Sequence, residues 1–229
     1  MKKFSPEYVC VFFDDAEALF VNKAKLPEIA DEFALTLDPA LLVNFDMSLL
    51  QRGIQKNHEI IQDLFHVETI YPNCKMINWA ISNIFIDKKE YDSAEKYASR
   101  IIQDFPDSYI GYNLLGDIKS YAELYNEAIL DYKTALEKTD DLDIYKKLSV
   151  CYVKIENYQK AYHTLKKGLD IYSTEIQHED IFKLGLLALQ LNKKDEARML
   201  MEFADYKTPD SETDLKNRIQ IILDNANVN

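Results

Sequence analysis

Residues 58–62 read His58-Glu59-Ile60-Ile61-Gln62. They come within one residue of HExxH, in which two histidines one helical turn apart hold a zinc ion and the glutamate activates its water. Gln62 stands where the second histidine must be. The imidazole pair cannot form, and the segment reads as a polar helix face. His66, His163 and His178 have no cysteine or second histidine at ligand spacing. Asp14-Asp15 and Asp140-Asp141 carry the carboxylates of acid–base or metal chemistry. Asp140, Asp141 and Asp143 lack the glycine and terminal glutamate of an EF-hand loop. Their place between two helices suits N-terminal capping. The five glycines (Gly53, Gly111, Gly116, Gly168, Gly185) are too scattered for GxGxxG, GxxxxGK(S/T) or GxSxG. The sequence therefore predicts no enzyme, no metal site and no cofactor.

Composition narrows the class further. The chain has 229 residues and a net charge of −12. Such a charge disfavours phosphate backbones and anionic membrane surfaces. Glycine falls far below the usual ~7%, which argues against β-rich folds with many tight turns. Cys10, Cys74 and Cys151 are odd in number and widely spaced, so reduced buried thiols are expected. The apolar run 9–13 follows two lysines but is too short for a signal peptide. No stretch has the length of a membrane span. A cytoplasmic protein is the expectation.

The elements that must position any functional residue show a period near 34. Pro39, Pro72, Pro106 and Pro209 are spaced by 33, 34 and 103 residues. Ala94, Ala128, Ala161 and Ala197 follow at 34, 33 and 36, and Tyr91, Tyr125 and Tyr158 each stand three residues before one of them. Between the markers the apolar spacing is helical. Ala128, Ile129, Tyr132, Ala135 and Leu136 form one stripe, and Tyr112, Leu115, Gly116 and Ile118 lie on one side of the helix before it. Polar links such as Asp87-Lys88-Lys89-Glu90 and Glu156-Asn157 separate paired helices. Each unit is a helix hairpin that must stack on neighbours to bury its apolar face.

These residues resemble the tetratricopeptide repeat (TPR) family over residues 75–211. Segment 109–141 carries Tyr112, Leu115, Gly116, Tyr125, Ala128, Tyr132 and Ala135 of the family pattern, with Asp140 where proline would stand. Segment 75–108 carries Ile81, Phe85, Tyr91, Ala94, Ile101 and Pro106. Segment 142–177 carries Tyr145, Leu148, Tyr152, Tyr158, Ala161 and Leu165, with Gly168 as the last small residue. Segment 178–211 carries Leu184, Gly185, Ala188, Ala197, Ala204 and Pro209. The resemblance implies an all-α, right-handed α-solenoid of antiparallel helix pairs, a TPR-like superhelix, with Gly116 and Gly185 where two helices approach closely. Residues 1–74 read as an N-terminal helical region, either degenerate repeats or a separate helical domain, with Pro27 near a helix start. In residues 212–229, Leu215, Ile219 and Ile222 share one face, as a C-terminal capping helix requires.

By the same resemblance, the first helices of the repeats line a concave groove for a peptide or a partner's helix. The expected lining is Met76, Trp79, Asn83 and Asp87, then Ile110, Asn113, Asp117 and Tyr121. It continues with Asp143, Lys146, Val150 and Lys154, and ends with Glu179, Phe182, Leu186 and Gln190. Trp79 either turns into the groove as an anchor or packs against the preceding segment. Asn83 and Asn113 either bond a ligand backbone or are solvated. The residues matching the family's chaperone-tail clamp agree at Asn83 and loosely at Lys147, so an acidic chaperone tail is not expected. Segments 1–74, 75–141, 142–177 and 178–229 carry net charges of −6, −5, +2 and −3. The one basic repeat places Lys146 and Lys154 to meet an acidic ligand residue.

The expected function is thus a non-enzymatic interaction module, or scaffold, that binds a peptide or helix of a partner protein and assists complex assembly. The alternatives are a cytosolic secretion-type chaperone for an apolar client and a regulatory subunit of an enzyme. Nucleic acid is not an expected partner, since a related RNA-reading repeat would need a basic groove. Self-association through the repeat ends is left open.

Overall fold

The computed structural model describes residues 7–14, 18–171 and 176–227, the side chains of 43, 44, 226 and 227 excepted. The fold is all-α in class, with twelve α-helices and one small β-hairpin among these residues. The chain divides into two compact units, residues 1–122 and 123–229. No helix among the described residues is long and apolar enough to cross a membrane.

The first unit opens with the hairpin, where helices were expected. Strands β1 (Tyr8–Phe13) and β2 (Ala18–Asn22) pair antiparallel, with Tyr8 opposite Asn22 and Phe13 opposite Ala18. The reading of residues 1–74 as a helical region is corrected over Tyr8–Phe13 and Ala18–Asn22. Val9, Val11, Phe12, Phe13, Phe20 and Val21 are β-branched or aromatic, and runs this short favour a pleated surface over a helix. Helix α1 (Pro27–Phe33) follows with Pro27 in its first turn, where a missing N–H costs nothing. Leu35 then donates its N–H to the Cys10 carbonyl at 2.8 Å. The Asp63 carboxylate accepts from Thr36 N–H (2.6 Å), Thr36 Oγ1–H (2.7 Å) and Leu37 N–H (2.8 Å). After a 3-10 turn over Pro39–Phe45 come α2 (Met47–Lys56), α3 (Glu59–Ile70), α4 (Lys75–Asp87), α5 (Tyr91–Asp104) and α6 (Tyr109–Tyr121). Phe13, Leu37, Leu42, Leu64, Ile77 and Ile81 fill one continuous core.

The second unit holds α7 (Tyr125–Leu136), α8 (Leu142–Lys154), α9 (Tyr158–Ile171), α10 (His178–Gln190), α11 (Lys194–Lys207) and α12 (Thr213–Asn227). Asp141 caps α8 by accepting from Asp143 N–H at 2.8 Å and Ile144 N–H at 3.3 Å, the role expected for that carboxylate run. Ile219 of α12 is fully buried with Ile181, Phe182, Met201 and Ala204, and Leu215, Ile222 and Leu223 flank it.

One turn recurs in both units. Lys89, Glu123, Glu156 and Asn192 each have φ between 55° and 62°, five residues before the buried Ala94, Ala128, Ala161 and Ala197. At Lys89, Glu156 and Asn192 the backbone closes as a Schellman motif: Glu90 N–H reaches Phe85 O, Asn157 N–H reaches Tyr152 O and Lys193 N–H reaches Ala188 O. This left-handed position is one glycine usually takes. Two of the alanine carbonyls also accept a buried hydroxyl, from Ser82 to Ala94 (3.0 Å) and from Ser149 to Ala161 (2.9 Å).

Candidate partner-binding groove

Helices α8 and α10 are first helices of their hairpins, and each turns one stripe toward a common cavity of ≈ 510 Å³. From α8 it is lined by Lys146, Ser149, Val150 and Val153, and from α10 by Lys183, Leu186, Leu187 and Gln190. Both sets follow i, i+3, i+4, i+7, so each is one helix face. Tyr158 and Leu165 of α9 complete the wall. Val150 is 49% exposed, unusual for a valine within a packed repeat, and Leu186 is half-buried.

Charge sits at one end of the cavity. Asp180 is buried, yet its carboxylate lies 2.5 Å from Lys146 Nζ and 3.5 Å from Lys183 Nζ. A carboxylate out of water needs such partners. The two ammoniums exceed it by one positive charge. The Lys146 charge is therefore largely spent within the protein, which corrects the expectation that it stands free to meet a ligand.

Of the expected lining residues, Lys146, Val150, Leu186 and Gln190 come together at this cavity. Lys154 is exposed at the end of α8, with Nζ 6.0 Å from the Tyr125 ring centre. Phe182 is buried under the Arg218 guanidinium (5.1 Å) and packs toward α12. In the first unit, Trp79 is 5% exposed and meets Phe45 edge-on at 5.5 Å, so the packing alternative describes it. Ile110 is buried, and Met76 packs half-buried against the core. Asn83 Nδ2–H donates to the Trp79 carbonyl at 2.9 Å within its own helix. Asn113, Asp117 and Tyr121 share one face of α6, and the Tyr121 side chain is exposed. Sequence reasoning missed Ser149, Val153, Lys183 and Leu187, although all lie at helical spacing from residues it named. It also missed Tyr158 and Leu165, because first helices alone were considered.

Two polar clusters lie apart from the cavity lining. Tyr162 O–H donates to Glu196, which Lys166 and Lys193 also approach at 3.0 Å and 3.3 Å. These bonds, the tyrosine's first, lower the Glu196 carboxyl to about 2. His178 Nε2 lies 2.8 Å from Glu212 and 3.4 Å from Glu179, the one group with metal-ligand spacing among the described residues. The His178–Glu212 hydrogen bond accounts for that convergence by tying α10 to the lead-in of α12.

Solved structures with similar chain paths include MamA, at 19% identity over 72% of this chain and 96% of that one, with a TM-score of 0.59. Another is pilF of Pseudomonas aeruginosa, at 14% identity, 81% and 89% coverage, and a TM-score of 0.63. A third is YrrB, described as a TPR protein with an unusual peptide-binding site, at 17% identity, 77% and 84% coverage, and 0.52. The chain has the tetratricopeptide-repeat fold. No protein-family model matches it, nor does any curated protein sequence. Within the TPR frame, the α8–α9 hairpin and α10 line the cavity, and α12 caps α10 and α11.

Proposed function

We propose that the protein is a non-enzymatic interaction module that holds a segment of a partner protein in the α8–α9–α10 groove and so assists assembly of a complex. The observation that carries this reading is the cavity itself. Two helices present matched stripes that place Val150, Val153, Leu186 and Leu187 beside Lys146, Lys183 and Gln190, with Val150 exposed. Removing those aliphatic groups from water would drive association at about 25 cal/mol per Å² before the costs of ordering. YrrB, described as having a peptide-binding site, offers a precedent on the same fold.

Affinity purification of the tagged chain tests the reading. Wild type should retain a protein partner that Val150→Glu loses, while Tyr206→Ala, at an exposed site on α11, keeps it. Retention by Val150→Glu at wild-type level would overturn groove binding.

A further inference from the structure

We infer that the groove selects an acidic partner segment: one large aliphatic or aromatic side chain seated between Val150, Val153 and Leu186, with an Asp or Glu beside it on Lys183. This rests on the groove being the binding site. Lys146, Lys183, Ser149, Tyr158 and Gln190 supply the polar lining, and no carboxylate is among the described lining residues. Counting the buried Asp180 held between its two lysines, that wall keeps one net positive charge in a chain of net charge −12.

The two lysines do different work. Lys146 is held at 2.5 Å by the buried Asp180, and leaving that carboxylate without a close cation would be costly. Lys183 is 3.5 Å from the same carboxylate, and its side chain is 59% exposed. Its ammonium can swing to an incoming carboxylate while Lys146 continues to neutralise Asp180. A basic ligand would instead meet the exposed Lys183 ammonium, with no carboxylate among the described lining residues to receive it, so the charge pattern rejects as well as attracts.

The test is selection of random twelve-residue peptides displayed on phage against the immobilised full chain. It is followed by fluorescence anisotropy with the fluorescein-labelled consensus peptide and its Glu→Gln or Asp→Asn counterpart. The expected consensus pairs Leu, Ile, Met or Phe with Asp or Glu within four positions. Lys183→Gln should weaken the acidic peptide about tenfold and leave the amide peptide unchanged, and raising the salt should reproduce that difference. Val150→Glu, checked for wild-type helicity, should abolish both. A neutral or basic consensus that Val150→Glu still abolishes would overturn the acidic selectivity and leave the groove reading standing. Absence of any consensus, or one indifferent to Val150→Glu, would overturn the groove reading and this inference with it.

Discussion

The Lys146 ammonium lies 2.5 Å from the carboxylate of Asp180, joining α8 to the first turn of α10 at a point where the acid is buried and the lysine is 29% exposed. The two partners are therefore not equivalent. Lys146→Met leaves a buried carboxylate with Lys183 alone and should cost about 2–3 kcal/mol. Asp180→Asn frees two lysines that can return to water and should cost about 1 kcal/mol. The double variant should lose less than the sum of the two. Urea denaturation of the four proteins measures this, and equal, additive losses would contradict it.

Three buried glycines should respond differently to alanine. At Gly111 a Cβ would lie 2.6 Å from Ile102 Cγ1 and 3.1 Å from the Ala98 carbonyl oxygen, so backbone blocks it. At Gly168 it would lie 2.7 Å from Tyr145 Cβ and 3.0 Å from Cγ. At Gly185 the obstacle is Met201 Cε at 2.9 Å, the flexible end of a side chain. Gly111→Ala and Gly168→Ala should each lose about 1–3 kcal/mol. Gly185→Ala should be near neutral, because a gain of about 1 kcal/mol in helix propensity offsets the contact. Thermal melts should rank Gly185→Ala closest to wild type.

The left-handed turns should improve with glycine. Lys89 and Glu156 hold φ of 60° and 58° against the preference of residues with a Cβ. Lys89→Gly and Glu156→Gly should each stabilise by about 0.5–1 kcal/mol, the gain being limited by glycine's larger unfolded entropy. Asn192→Gly should gain less, since asparagine tolerates this region. A lower melting temperature for Glu156→Gly would count against the strain argument.

These turns also show where the sequence was readable. Ala94, Ala128, Ala161 and Ala197 mark the period because each is fully buried where two helices meet, which only a small side chain permits. The turns five residues earlier carry Lys, Glu, Glu and Asn, so no glycine marked them. The N-terminal hairpin was misread because a proline in phase at Pro39 resembled a repeat ending, while β-branched and aromatic runs of five or six residues set the local structure. In the groove, helical spacing found Val150 and Leu186. It could not show that Phe45 covers Trp79 or that Asp180 engages Lys146, because both contacts join distant parts of the chain.

Glu196 should govern part of the acid limb of stability. Its carboxyl is lowered from 4.5 to about 2 by the hydrogen bond from Tyr162 and then by those from Lys166 and Lys193. The folded value lies below the unfolded one, so this stabilisation is present above pH ~4.5 and is lost as pH falls toward 2. Glu196→Gln should melt below wild type at pH 7, and the gap should close across that window. Because Glu196 is a third exposed, salt should narrow the gap at pH 7 as well. A gap that is constant from pH 7 to pH 2 would show that the effect is not ionic.

Removal of the last helix should cost solubility more than helical content. In α12, Ile219 is fully buried against Ile181, Phe182, Met201 and Ala204, and Arg218 covers the Phe182 ring. A chain ending at Asp210 uncovers that surface at once, and an apolar face of this kind promotes association. Within the full chain, Ile219→Ala should lose about 2–4 kcal/mol through the cavity it leaves. Ile221→Ala, at a position 60% exposed on the same helix, should lose little. Light scattering of the shortened chain and melts of the two alanine variants read these outcomes separately. A monodisperse shortened chain melting like wild type would show that α12 is dispensable as a cap.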